Sequence, residues 1–310
     1  MKELNKILSR SNFNIIKVIV MSCFVNLLLV TDCLAQDTIQ QWEHSTHLKL
    51  VQIEQGNSYF TTPWDIGNIE DLKMEINSNA SFILRENDKA HLMMVFTPQI
   101  IIRMFNTRSY PVKTPSYMPH VSLFYSFGEI SHKNMNSLFL RFGHHSNGQR
   151  GPTYLENGDI NLETGDFSTN YFELGGIYAF YNNYINKIFF YESSFEYHLK
   201  EFTQPAILGK YGLYRWNNKF SILSSPKFFS NKEHFQMDAK FNWMFGSIND
   251  WTALNYKRLG IELTLFYNPK FLAELGFFIK YYQGMDYYNI YFDHHLTVLR
   301  FGIMTQFLRF

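Results

Sequence analysis

Phe235-Gln236-Met237-Asp238-Ala239-Lys240-Phe241-Asn242-Trp243-Met244-Phe245 puts Phe235, Met237, Ala239, Phe241, Trp243 and Phe245 on one side of an extended chain. Gln236, Asp238, Lys240 and Asn242 fall on the other. Successive side chains of a strand point to opposite faces, so this stretch reads as a strand with one apolar face and one charged or polar face. The pattern recurs along the chain. Leu72, Met74 and Ile76 alternate with Lys73, Glu75 and Asn77, and Ile261, Leu263, Leu265 and Tyr267 alternate with Glu262 and Thr264. Ala273, Leu275, Phe277, Ile279 and Tyr281 alternate with Glu274 and Lys280. A period of two, repeated this often, predicts an all-β protein.

The composition decides between kinds of β protein. Of 310 residues, 31 are Phe, 20 Tyr and 5 Trp, and 18% are charged. A soluble sandwich buries its apolar face and rarely needs so many aromatics. Aromatic faces opposed to charged ones, strand after strand, fit a transmembrane antiparallel barrel with a polar interior. About twelve strands are expected, beginning near residues 46, 71, 90, 118, 136, 168, 187, 209, 234, 256, 271 and 292, each near the ~9–11 residues that a tilted crossing needs. Short polar turns are expected at 85–89, 131–136, 182–186 and 268–270. Longer loops should lie at 57–69, 106–117, 147–167 and 246–255, so the short set would face the periplasm. The segment 224–232 is long for such a turn. No repeat, linker or low-complexity tract divides the chain, and a net charge of +1 argues against a nucleic-acid partner held by a broad basic surface.

Residues 1–35 read as a secretory signal peptide and 36–310 as the barrel domain. Lys2, Lys6, Arg10 and Lys17 precede the mostly apolar run Val18–Val30, and Cys33-Leu34-Ala35 offers a cleavage site after Ala35. The apolar run is short for a membrane anchor, and Asp32 stands where a lipoprotein signal wants a small residue. Both cysteines, Cys23 and Cys33, lie in this segment, so the exported domain has no disulfide. A closed sheet in a membrane supplies the stability instead.

Chemistry points to Leu138-Phe139-Leu140-Arg141-Phe142-Gly143-His144-His145-Ser146-Asn147-Gly148-Gln149. Leu138, Leu140 and Phe142 set the lipid-facing parity, which His144 and Ser146 continue, while Arg141 and His145 face the lumen. A polar pair on a lipid-facing surface costs free energy unless it is used. His and Ser two apart on one face put an imidazole near a hydroxyl, the pairing of nucleophilic catalysis. The Asn147-Gly148 turn that follows offers backbone N–H groups, with Gly148 as the oxyanion donor. The plain alternative is a polar strand end at the membrane interface. Ser168-Thr169-Asn170-Tyr171-Phe172-Glu173-Leu174 is the next strand, and its parity puts Asn170 outward, where its amide can orient His144. His44, His47, His294 and His295 lack acidic or thiol partners at ligand spacing, which favours solvated or lumenal roles.

His144-x-Ser146-Asn147-Gly148 followed by Pro152-Thr153, and then Ser168-x-Asn170, resembles the outer membrane phospholipase A family of twelve-stranded barrels. Pro111 with Tyr117-x-Pro119, and Gly284 with Ile290-x-Phe292-Asp293 and Arg300-x-Gly302, are weaker matches. The resemblance implies a phospholipid acyl hydrolase of a Gram-negative outer membrane. Ser146 would be the nucleophile, His144 the base and Asn170 the orienting residue. It also implies a homodimer and a Ca2+ cofactor, for which the backbone carbonyls of Gln149 and Tyr110 are the candidate ligands. Gly151 stands where the family commonly has Asp, Tyr110 and Tyr154 stand near usual Ser positions, and the stretch from Gly148 to Asn170 is long. Two other functions fit such a barrel. One is a lipid A deacylase, whose third member would be a carboxylate such as Glu156 or Glu163. The other is a porin-like or structural barrel.

Overall fold

A computed structural model describes residues 53–61, 65–67, 72–85, 92–131, 134–182, 184–185, 187–224, 234–269, 271–272 and 275–305. The expected signal peptide, the first part of the strand expected from residue 46, the 225–233 segment and the terminal Phe310 lie outside them. Thr38–Tyr181 together with Lys187–Phe310 forms one compact unit.

Among the described residues thirteen strands form a single sheet: β1 (Ser58–Thr61), β2 (Leu72–Ser78), β3 (Phe82–Arg85), β4 (Leu92–Phe105), β5 (Ser116–Ser131), β6 (Asn134–Ser146), β7 (Ser168–Asn182), β8 (Lys187–His198), β9 (Tyr214–Ser224), β10 (His234–Phe245), β11 (Leu259–Asn268), β12 (Leu275–Met285) and β13 (His295–Thr305). Each strand from β4 to β13 neighbours the next, β13 pairs with β1, β1 with β2, and β2 with β4, which closes the ring. The strand count exceeds twelve for a local reason. β2 pairs with residues 100–105 of β4 and β3 with residues 94–96, so both lie along the same edge and share one barrel position. Asn79 breaks the strand between them, its N–H donating to Ser58 Oγ at 2.8 Å and its side-chain amide to the Gln55 carbonyl. Twelve positions remain, as the alternation predicts.

Three boundaries differ most from expectation. The first strand, expected from near residue 46, is helical where described at residues 53–55, and β1 runs at Ser58–Thr61 inside the segment 57–69 expected to be an outer loop. β9 begins at Tyr214 rather than near 209, because residues 199–213 form an outer loop with short 3-10 turns at Lys200–Phe202 and Pro205–Ile207. β11 begins at Leu259, after a 3-10 turn at Tyr256–Arg258 capped by Asn255.

The two faces sort as the pleat demands. Leu138, Leu140, Phe142, Phe172, Leu174, Phe195, Trp216, Phe241 and Phe277 are exposed on the outside. Glu75, Arg103, Glu173, Lys219, Lys280 and Arg300 are buried inside. Most of these charges are paired, as the cost of burying a lone charge requires, and the Lys219 ammonium donates to the Ile53 carbonyl. Arg103 bridges Glu75 at 2.7 Å and Asp286 at 2.7 Å, Arg300 bridges Asp65 and Glu75 at 3.0 Å, and Arg141 reaches Glu173 at 2.8 Å and also Glu54.

The lumen is not an open channel among these residues. At the short-turn end Met93, Val95, Phe124, Met135, Phe139, Ile177, Ile188, Phe190 and Leu223 pack into an apolar cluster that takes in Ile53. At the long-loop end Phe105, Phe167, Ile207, Tyr211, Tyr288, Tyr291 and Phe292 form a second cluster. A polar cavity of about 370 Å³, lined by Gln55, Asp238, Lys240, Glu262 and Lys280 among others, is left within the barrel. Helical residues Ile53, Glu54 and Gln55 fill the lumen from the N-terminal side, with Gln55 bonded to Ser122, Thr97 and His120.

A ring with no free edge resists detergent until heated. The full chain should therefore migrate differently on a gel before and after boiling. Recovery in a soluble periplasmic fraction would contradict the barrel.

Candidate active site

The outer end of β6 carries His144 and Ser146 on the lipid-facing side, partly exposed, while His145 between them is buried on the lumen side. The register places His144 opposite Asn170 and Ser146 opposite Ser168 on β7, and Ser146 opposite Tyr117 on β5. Directly opposed residues share a face at side-chain contact distance. His144 Nδ1 lies 2.7 Å from Asn170 Oδ1. An amide oxygen only accepts, so Nδ1 carries the proton and Nε2 presents its lone pair. That is the tautomer a general base needs. No hydrogen bond joins Ser146 to His144 in this structure, and their proximity rests on their same-face spacing. Below them on the same face the rings of Phe142 and Phe172 meet at 5.1 Å, an apolar track leading down toward Leu140 and Leu174.

The turn after Ser146 is held rigidly. Asn147 is buried, its Oδ1 accepts from the Gln149 and Phe167 N–H groups at 3.2 and 3.1 Å, and its Nδ2 donates to the Gly165 carbonyl at 2.8 Å. Gly148 takes φ +66°, a left-handed conformation that favours glycine. Among the described residues nothing accepts from the Gly148 N–H, which remains a donor for a ligand.

Asn170 is fixed from its other side by a segment that sequence reasoning missed. The Leu199 N–H donates to the Asn170 carbonyl and the Gln204 N–H to the Ser168 carbonyl, both at 2.8 Å. Thr169 Oγ1 meets Thr203 Oγ1 at 2.8 Å and His198 Nδ1 at 2.9 Å, and His198 Nε2 meets Glu196 Oε1 at 2.5 Å. The only forewarning in the sequence is Pro205, which breaks the strand pattern there.

The loop carboxylates stay away from His144. Glu156 is exposed, and the largely exposed Glu163 pairs with Lys113 at 3.5 Å.

The surroundings of the turn do not fit calcium, which wants several oxygen ligands including carboxylates. Gly151 bonds across to Thr164 and pairs with Gly165, and a Cβ there would stand 2.4 Å from Thr164 Oγ1 and 2.5 Å from the Thr164 carbonyl. No side chain fits that position unless the 161–165 turn moves. Asp166 accepts from Gln204 Nε2 at 2.8 Å, and burial pushes its carboxyl above its ordinary value. The 106–115 loop reaches Gln149 through Thr114 Oγ1, at 2.9 Å, whereas the exposed Tyr110 takes the Lys73 ammonium over its ring. Among the described residues no group of three His, Cys, Asp or Glu side chains is placed to hold a metal.

No protein-family model matches the sequence, and no curated protein matches it. Solved structures do. Outer membrane phospholipase A from Escherichia coli aligns with a TM-score of 0.54 at 14% identity, over 81% of this chain and 91% of that one. An active-site mutant of the same protein aligns with a TM-score of 0.53 over the same shares. The Salmonella typhi outer membrane phospholipase dimer with bound calcium gives 0.53 at 14% identity, over 80% and 90%. At this identity the likeness is one of fold, and it is the barrel that the resemblance of the motif implies.

Proposed function

We propose that this chain is an outer-membrane ester hydrolase, of the phospholipase A1 or A2 type, that removes acyl chains from phospholipids at its lipid-facing surface. The observation that carries it is the 2.7 Å contact between His144 Nδ1 and Asn170 Oδ1, on the same lipid-facing strand ends as Ser146. A tautomer-fixed histidine beside a serine, at the depth of lipid esters, has a use there that an idle polar pair lacks.

In this mechanism His144 Nε2 takes the proton of Ser146 Oγ as the oxygen attacks the ester carbonyl carbon. The carbonyl oxygen becomes an oxyanion that accepts from the Gly148 N–H. His144 then returns the proton to the departing lysophospholipid oxygen. Water, deprotonated by His144, cleaves the acyl-serine, releasing the fatty acid and restoring the Ser146 hydroxyl. Asn170 holds the imidazole throughout, and no step is assigned to a cation.

The Salmonella structure is a dimer with calcium, and this chain's residues bear differently on the two properties. Leu123, Leu140 and Leu174 lie side by side across β5, β6 and β7, a smooth aliphatic face on which a second copy would cover the acyl chain. The donor set argues the other way for calcium. Hydrolysis is therefore expected to persist within about twofold in chelator. Loss of activity in chelator, restored by calcium, would reinstate the cation, while crosslinking in detergent tests the pair.

The lipid A deacylase alternative needs a carboxylate on His144, and the observed partner is a neutral amide. The porin alternative needs an open lumen, and the apolar clusters argue against one. The deciding experiment offers purified protein either phospholipid or lipid A, with a sulfonyl fluoride as the serine label. Release of fatty acid from phospholipid, with the label on Ser146, supports the proposal. Release from lipid A alone would replace it.

A further inference from the structure

An enzyme that cuts lipid esters at Ser146 must also accommodate the polar headgroup lying outward of those esters. The other described cavities are lined by barrel-interior residues, across the wall from Ser146. One groove lies at the rim, between the two outer loops that flank the site, with Phe105 of the long-loop-end cluster at its floor. It holds about 370 Å³ between the 106–115 loop and the 147–167 loop, lined by Phe105, Thr107, Lys113, Thr114, Leu162 and Glu163.

Its position relative to Ser146 is set by the two strands. Ser146 faces Tyr117 across β5 and β6, and the chains continue outward to Thr114 and Gln149, whose side chains meet at 2.9 Å. Thr114 stands three residues before Tyr117, at most about 10 Å along the chain. That matches the scale of a glycerophospholipid from its ester carbonyl to the end of its headgroup.

Among the described residues that line the groove, Lys113 and Glu163 carry the charges. Lys113 Nζ is held over the rings of Phe105 and Tyr291, at 5.1 and 5.6 Å, so its position is set before any ligand arrives. Glu163 stands 3.5 Å from it with its side chain 80% exposed, a pair loose enough for a ligand to enter. The geometry points to this groove as the headgroup subsite for a zwitterionic phospholipid. The phosphate replaces Glu163 on Lys113 and accepts from a Thr114 or Thr107 hydroxyl, and the ammonium pairs with Glu163. This rests on the phospholipase proposal above and adds the class of lipid that it selects.

The test measures kcat/KM of the purified full chain in detergent micelles on phosphatidylethanolamine, phosphatidylglycerol and diacylglycerol, the last having no headgroup charge. The wild type should prefer phosphatidylethanolamine. Lys113→Ala should lower the ratio of phosphatidylethanolamine to diacylglycerol cleavage by about threefold to tenfold, through KM. Glu163→Lys, on an exposed side chain that the fold does not depend on, should turn the preference toward phosphatidylglycerol. Unchanged ratios in both variants would overturn the subsite and leave the hydrolase intact. No cleavage of any of the three lipids by the wild type would overturn the hydrolase itself, and the subsite with it.

Discussion

Ser146→Ala is expected to abolish phospholipid hydrolysis to within roughly a thousandth to a millionth of the wild-type rate while leaving the heat-modifiable barrel intact. The nucleophile is the one member of the site whose role no neighbour can take over. Removing a single hydroxyl from a partly exposed strand end costs the fold almost nothing, because Ser146 makes no hydrogen bond through its side chain here. The proper readout pairs fatty-acid release with gel mobility, so that a lost activity is not mistaken for a lost barrel. Undiminished hydrolysis in Ser146→Ala, or in His144→Ala, would rule out the mechanism.

Asn170→Ala is expected to cost about tenfold to a thousandfold in kcat, less than the serine deletion. The amide supplies orientation and a fixed tautomer rather than the bond-forming electrons. Without it, His144 still reaches Ser146 in a fraction of its conformations. The backbone bonds from Leu199 and Gln204 do not depend on the Asn170 side chain, so the end of β7 should stay in place. Glu156→Gln should be nearly silent, since Glu156 is exposed and does not touch His144. If Glu156→Gln abolished activity and Asn170→Ala did not, the deacylase alternative would gain.

The barrel was legible because its physics is one-dimensional. A lipid outside and charges inside impose a period of two on every crossing strand, and Phe235–Phe245 already carries it. The same parity put His144, Ser146 and Asn170 on one surface, since each face of a strand follows from counting. Where the count failed, a side chain had overridden the pattern. Asn79 splits one barrel position into β2 and β3 by bonding to residues far from its own strand. The 199–213 loop hid its start behind an apolar run, because alternation cannot distinguish a strand from a loop that packs over the lumen.

The sequence by itself determined the strand class, the twelve positions and which side of the wall each residue of the His144–Ser146 motif occupies. These depend on nearest neighbours and on the solvent each face meets. Only the tertiary structure decided that His144 and Asn170 stand opposite each other, since register comes from pairing β6 with β7 across a twenty-one-residue outer loop. It also decided that Gly151 leaves no space for a metal-binding side chain, that Lys113 and Glu163 face a common groove, and that the lumen is filled from the N-terminal side. Each of these is a contact between residues distant in the chain, fixed by closure of the ring rather than by any local preference.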